Sequence, residues 1–280
     1  MAYDQFGDNT GPGPVSGQKW IEENLDWTAS RIEAGKIILG VAGYGRDWAN
    51  GKLYKTYTYN DAINKARSLN ASIDYDNDSY NLHFSYTSVE ADDNGIDQKI
   101  NHEVWFTDAA TSFNILRFCD EYGTAGTALW RLGSEDARMW NFYNRSLSNE
   151  SVLNQPVDFN LLKTIPVIPN SVGFTGEGEV LNILYRPQEG KIKLEIDSSE
   201  TLIAEQFYTQ LPSGYVIQKF AEDTTVGKGH KLILTFDDGP SDVYTPKILD
   251  IMEKEKIPAS FFVVGLEAEK NIPILKRIYD

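Results

Sequence analysis

KLILTFDDGPSD, Lys231–Asp242, is the stretch from which the rest of the chain can be read. Mostly β-favouring residues run into two adjacent carboxylates and a Gly-Pro turn, which reads as a strand delivering acids to its C-terminal end. The spacing of VYTPKILDIMEKEK predicts a helix with Ile248, Leu249 and Met252 on one face, and ASFFVV reads as a second apolar strand. Strand, helix, strand is a βαβ unit, right-handed in nearly all proteins. Ligands of α/β folds gather at the carboxyl ends of the strands, where Asp237 and Asp238 fall. Adjacent side chains leave a regular strand on opposite faces, so the pair must sit where the strand breaks. Gly239-Pro240 supplies a break. One carboxylate can then ligate a metal while its neighbour deprotonates a bound water. A turn leading into a helix capped by Ser241 or Asp242 accounts for the same spacing.

At 280 residues the chain is long enough for two domains, or parts of three. A formal charge of −15 argues against nucleic acid and anionic membrane surfaces as partners, and leaves a neutral or cationic glycan open. Cys119 is the single cysteine, so no intramolecular disulfide forms. No run is apolar enough to make a transmembrane segment, and no signal peptide opens the chain. Met1 leads directly into what reads as a strand, so the N-terminus is expected to lie further upstream.

Residues 1–143 repeat the pattern of strand, loop, helix and strand. Met1–Phe6 is a short apolar stretch, Trp20–Ala34 has helical spacing, and Lys36–Gly45 (KIILGVAGYG) is a buried-strand run. Ser112–Tyr122 reads as a helix and Gly126–Trp130 as a strand. Residues from about 53 to 106 read as an α+β insertion of short strands (HFSYT, HEVWF) and one helix (NDAINKARSL). Asp74–Asp78, DYDND, lacks the Gly and Glu of a calcium loop and reads as a solvated hairpin turn. Residues 144–229 read as a polar linker and a small antiparallel β module, in which Ile192, Leu194 and Ile196 share a face. The module reads as a spacer, with carbohydrate binding as the competing reading. His230 reads as an exposed boundary residue.

TFDDGP resembles the first motif of the NodB-type polysaccharide deacetylases, carbohydrate esterase family 4, over about Lys231–Asp280. The resemblance implies that Asp237 is the catalytic base and Asp238 a ligand of a divalent metal, usually zinc. The family's other ligands lie in a His-x-x-x-His segment; His83, His102 and His230 have no such spacing, so the implied site is present only in part. MAYD, ILGVAGYGRDW, HEVWFTDA and GTALWRLGSED together resemble the last three βα units of glycoside hydrolase family 18, which holds chitinases and spore-type glucosaminidases. That resemblance implies a sugar subsite with no cofactor. In it Tyr3 hydrogen-bonds the N-acetyl group, Asp4 contacts the sugar, Trp130 forms the apolar floor and Tyr44 lines the cleft. Core packing at strand ends accounts for the same aromatics. The family's Asp-x-x-Asp-x-Asp-x-Glu is not found in the chain.

The expected fold class is therefore α/β. It comprises a partial TIM-type (β/α) barrel (1–143), a linker with an antiparallel β module (144–229), and the first βαβ of a second (β/α) barrel (230–280). The expected function is that of a fragment of a multidomain hydrolase of N-acetylglucosamine polymers, of chitin or peptidoglycan type. It combines glycosidic hydrolysis with metal-dependent N-deacetylation. The expected location is extracellular or at the cell envelope, and the isolated fragment is expected to be inactive. The alternative is a non-catalytic glycan-binding or scaffolding protein.

Overall fold

The computed structural model describes residues 1–91, 94–168, 171–199, 201–221 and 232–280. They form two compact units, Met1–Lys219 and Phe220–Asp280, where the sequence suggests three segments. His230 and Lys231 lie outside the described residues.

In the first unit, Met1–Phe6 forms no strand. One bond, from the Ala2 N–H to the Gly40 carbonyl (3.0 Å), ties it to its neighbour. α1 (Gln18–Ala29) buries Ile21 and Leu25. It ends five residues before Ala34, and Ile32, beyond its end, is 48% exposed. The run KIILGVAGYG splits in two. β1 (Ile38–Ala42) pairs in parallel with β7 (Gly126–Trp130), which places Ala42 opposite Trp130. Gly45 instead opens β2 (Gly45–Ala49), in a different sheet. A Cβ at Gly45 would lie 2.5 Å from Cβ of Phe106, so the crossing into that sheet needs glycine.

β2 continues through β3 (Lys52–Tyr57), α2 (Tyr59–Ser68), β4 (Asp74–Tyr75), β5 (Leu82–Ala91) and β6 (Asp97–Phe106). The strands form a five-stranded antiparallel sheet ordered β3-β2-β6-β5-β4. The α+β insertion thus begins at Gly45, earlier than its composition suggests. α2 opens with a capping box between Thr58 and Asp61. The DYDND stretch is a hairpin turn: Asp76 accepts the Ser79 N–H (2.8 Å) and hydroxyl (2.5 Å). α3 (Ala109–Glu121) starts three residues before Ser112, because Asp108 caps it by accepting the Thr111 N–H at 2.9 Å.

Residues 144–163 are more than a polar linker. α4 (Asn149–Asn154) is capped by Ser148, and Leu147, Val152 and Val157 enter the core that α1, α3 and β1 share. α5 (Asn160–Lys163) leads into β8 (Thr164–Ile165). β11 (Gly190–Asp197) and β12 (Leu202–Gln210) pair antiparallel and join β8, with Ile192, Leu194 and Ile196 on the covered face. The other sheet, ordered β10-β13-β9, corrects the antiparallel expectation. Its strands β9 (Val172–Gly176) and β13 (Tyr215–Phe220) run parallel, β10 (Val180–Tyr185) lying on the far side of β13. The chain between β9 and β13 visits the other sheet, and that long excursion lets β13 return in the direction of β9.

The module also packs on α3. The Asn114 side chain donates to the Ile203 carbonyl (2.8 Å) and accepts the Ile203 N–H (3.0 Å). Beneath lies a buried ionic cluster. Arg138 donates to Asp136 (2.6 Å), to the Tyr59 hydroxyl (2.9 Å) and to the Leu162 carbonyl (2.5 Å). Tyr208 donates to Asp108 at 2.8 Å. Such a cluster stabilises only while every charge keeps its partners.

In the second unit, β14 (Leu234–Gly239) and β15 (Ala259–Val263) pair in parallel, joined by α6 (Thr245–Glu255), as the sequence predicts. Leu249 of α6 is buried, with Ile248 and Met252 half-buried beside it. α7 (Gly265–Lys270) and α8 (Ile272–Tyr279) follow. The α/β class holds in both units, and no barrel closes among the described residues. No helix among them is long and apolar enough to cross a membrane.

Candidate functional sites

The carboxyl ends of β1 and β7 open on a cleft of about 340 Å³ lined by Asp4, Tyr44, Arg46, Trp130 and residues of the β3–α2 corner. Asp4 sits at φ 63°. Its Oδ1 accepts from the Tyr44 hydroxyl and from Arg46 Nη2, the latter at 2.6 Å. Arg46 Nη1 also donates to the Phe6 carbonyl (2.8 Å), which pins the loop that carries Asp4. Burial pushes the Tyr44 phenol well above its ordinary pKa, and the Asp4 carboxylate adds to the shift. Tyr44 therefore stays protonated and remains a donor. Trp130, at the end of β7, is 56% exposed.

Tyr3 packs edge-on against Tyr44, with centroids 6.3 Å apart, and is absent from the cleft lining. Its ring lies over Gly40, where a Cβ would come within 3.1 Å of it. A second carboxylate, Asp61, reaches the cleft but is engaged at the start of α2, accepting the Thr58 N–H at 3.3 Å. The cleft thus offers a neutral phenol, a clamped carboxylate, a guanidinium and an open indole. That set suits hydrogen bonding to sugar hydroxyls and packing on a sugar's C–H face.

In the second unit the register shows where the strand breaks. Asp237 lies opposite Phe262 and Gly239 opposite Val263, and Asp238 is skipped as a bulge with φ 61°. The break falls on Asp238 itself, one residue before the Gly-Pro pair. A bulge frees adjacent side chains from strict alternation, so both carboxylates reach solvent. Phe236 stacks on Phe261 beneath them at 5.0 Å. The Ser241 hydroxyl accepts the N–H groups of Val243 (3.3 Å) and Tyr244 (3.2 Å) ahead of α6, so the turn is also a helix entry. Asp237 and Asp238 offer only carboxylate oxygens. Among the described residues no three His, Cys, Asp or Glu side chains converge. These residues by themselves fall short of the three or four ligands that zinc takes.

Two histidines fall on the five-stranded sheet and do not line the Asp4 cleft. His83 stacks on Trp105 at 4.5 Å. His102 bonds Asp47 through Nδ1 (2.9 Å) and Ser88 through Nε2 (3.0 Å), while Tyr86 donates to Asp47 (2.7 Å) and stacks on the imidazole. The order Ser-His-Asp matches a nucleophilic relay, but Asp47 and His102 are buried under that ring, and the group braces β2, β5 and β6.

Residues 225–280 match the family model described as polysaccharide deacetylase. Over 142 residues, half of the chain, the sequence is 27% identical to an uncharacterized glycosylase, YvbX, of Bacillus subtilis, covering 39% of that protein. Over 45 residues, 16% of the chain, it is 44% identical to a chitooligosaccharide deacetylase of Sinorhizobium fredii, covering 21% of it. The chain joins a glycosylase-like segment to a deacetylase-like one. It spans well under two thirds of the length of either relative. A crystal structure of a chitinase from Chromobacterium violaceum superposes on half of the chain and 42% of its own, at 30% identity and a TM-score of 0.43.

In the glycosylase-like segment the structure brings Asp4, Tyr44 and Trp130 to one cleft and sets Tyr3 against Tyr44. The sequence reading missed Arg46. Its signal was present, since Arg46 follows Tyr44 by two residues into β2, a spacing that returns a side chain to the same face. In the deacetylase-like segment Asp237 and Asp238 stand together.

Proposed function

We propose that this chain belongs to a hydrolase of N-acetylglucosamine polymers, of chitin or peptidoglycan type, that works outside the cell or at its envelope. The glycosylase-like segment, in the manner of glycoside hydrolase family 18, holds the sugar. The observation that carries this reading is the clamp of Asp4 by Tyr44 and Arg46 beside an exposed Trp130. Asp4 accepts a sugar hydroxyl, Trp130 packs under the ring, and Tyr3, buttressing Tyr44, is assigned to the acetamido group. Because Asp61 is committed to α2, the described cleft holds binding groups and no free acid.

The deacetylase-like segment contributes to removing the acetyl group. Asp237 takes a proton from water as the water oxygen attacks the amide carbonyl; the C–N bond breaks as that proton passes to the leaving nitrogen, and acetate and amine are released. Asp238 is assigned as one carboxylate ligand of a divalent cation, zinc by family resemblance. Two carboxylates do not complete such a site, so no step is derived through the cation. The boundaries 1–143, 144–229 and 230–280 are kept as the proposed functional segments.

Titrating N-acetylglucosamine oligomers into the protein and its Trp130→Ala variant tests the first half. A roughly tenfold weaker affinity is expected, about 1.4 kcal/mol, and an unchanged affinity would overturn the assignment. Because the isolated fragment is expected to be inactive, acetate release tests the second half in a longer protein that includes this segment and completes the metal site. Asp237→Asn should lower it about a hundredfold or more, and undiminished release would remove Asp237 from the mechanism.

A further inference from the structure

We propose that the β module is a working part of the Asp4 cleft, and that Tyr208 of β12 is a positioning residue for it. This rests on the reading that the cleft binds an N-acetylglucosamine polymer. Two walls of the cleft come from distant parts of the chain. The β3–α2 corner supplies Thr58 and Asp61, and the end of β7 supplies Trp130, Arg131 and Ser134. A backbone bond from the Tyr59 N–H to the Ser134 carbonyl (2.8 Å) joins these walls. The Ser134 hydroxyl in turn donates to the carbonyl of Arg131 (2.9 Å), the residue after Trp130.

The Tyr59 side chain enters the buried Arg138 cluster and does not line the cleft. Its hydroxyl accepts from Arg138 Nη2 (2.9 Å) and lies 3.2 Å from the Tyr208 hydroxyl, which donates to Asp108 (2.8 Å). Each phenol has one hydrogen to give. Tyr208 spends its own on Asp108, so Tyr59 donates to Tyr208. The bonds therefore run in one direction, from Arg138 through Tyr59 and Tyr208 to Asp108, and members of such a chain strengthen one another. Burial raises the pKa of both phenols, so each keeps its hydrogen. The same cluster holds the other wall: Arg138 donates to Asp136 (2.6 Å), which lies two residues after Ser134.

The Tyr208 hydroxyl closes this relay from the module. Without it Tyr59 loses an acceptor and Asp108 loses a donor, and a buried polar group left unpaired costs enough to shift its surroundings. The shift falls on the first residue of α2, whose N–H joins the two walls. Tyr208 thus acts on Trp130 without touching sugar. Gln206, also on β12, donates to the same Asp108 carboxylate (3.2 Å). A bare spacer needs only apolar packing on α3. This module sends a hydroxyl and an amide into the cluster that carries both walls.

The test is a calorimetric titration of the full chain with N-acetylglucosamine oligomers, in the parent, Tyr208→Phe, Trp130→Ala and the pair. Tyr208→Phe should bind about fivefold more weakly and should shift the ¹⁵N indole signal of Trp130 in the free, folded protein. The pair should bind no more weakly than Trp130→Ala alone, because both changes act through one wall; a general loss of fold would multiply the two losses instead. Thr209→Ala breaks a bond inside the module's own sheet, from the Thr209 hydroxyl to the Lys191 carbonyl (3.1 Å), and should leave affinity unchanged. Tyr59→Phe cuts the relay from its other end, should show the same fivefold loss, and serves where Tyr208→Phe does not fold. If the parent binds and the relay variant binds as tightly, or the losses of the pair multiply, the positioning role is wrong and the cleft reading stands. If the parent itself does not bind, the cleft reading falls and takes this inference with it.

Discussion

Asp4 and Asp238 share a backbone conformation and differ in nearly everything around it. Both sit at left-handed φ, 63° and 61°, where a residue with a Cβ costs roughly 1–2 kcal/mol. Asp4 offsets that cost by contact, since Tyr44 and Arg46 converge on one of its oxygens. Asp238 is placed by a bulge alone, and among the described residues its carboxylate has no hydrogen-bond partner. The units follow the same division. The first contains three clusters of buried hydrophobic residues and the buried Arg138 network; in the second, only Leu249 and Ala268 are buried among the described hydrophobic side chains. A carboxylate fixed by its neighbours is a finished binding group. One fixed only by backbone takes its final setting from what it binds.

The largest test of this contrast removes the first unit's internal support. Arg138→Ala leaves Asp136 and Asp108 buried without their cation, and should destabilise the first unit by about 3–5 kcal/mol. Urea unfolding followed in each unit separately should show the second transition unmoved; a joint shift would mean the units do not unfold independently.

Alkali probes the same interior. Burial raises the pKa values of Tyr59 and Tyr208 above that of an unfolded tyrosine, near 10. Below pH 10 both states keep the proton and stability is intact. Above it the unfolded chain ionises first, so stability falls by about 1.4 kcal/mol per tyrosine per pH unit. Urea midpoints between pH 8 and 11 should stay level to about 10 and then drop for the first unit, which holds both residues. A flat profile to pH 11 would contradict their burial.

A smaller effect reaches the clamp. Tyr44→Phe removes a donor to a charged group, and should weaken oligomer binding by about 2 kcal/mol with the fold retained by circular dichroism. Equal affinity would mean that Arg46 alone sets Asp4. The finest comparison replaces each left-handed aspartate. Asp238→Gly relieves the backbone and should stabilise the second unit by about 1 kcal/mol. Asp4→Gly gains the same relief but loses the Arg46 bond and the Tyr44 bond, so it should show no net gain. If both variants gain equally, the clamp contributes nothing to the fold.

Periodicity and turn chemistry made much of this legible in advance. The alternation at Ile192, Leu194 and Ile196, the strand at Gly126–Trp130 and the βαβ unit around TFDDGP emerge from local pattern. Boundaries failed where a partner distant in sequence decides them. KIILGVAGYG is one apolar run to the eye, and only the close approach of Gly45 to Phe106 shows that it feeds two sheets. Leu147 and Val152 sit in a polar stretch, and their burial depends on α3.

The sequence by itself singled out the candidate carboxylates and aromatics: the strand end and Gly-Pro turn mark Asp237 and Asp238 as local properties of the chain, and the family resemblance of the motifs marks Tyr3, Asp4, Tyr44 and Trp130. The tertiary structure alone decided which of them are ready to act. It brought Arg46 to Asp4 across 42 residues of chain, kept the Tyr44 phenol protonated by burial, and put the strand break on Asp238. The physical reason is that a hydrogen-bond clamp, a shifted pKa and a bulge all depend on a second segment of chain, and no local spacing says which segment will arrive.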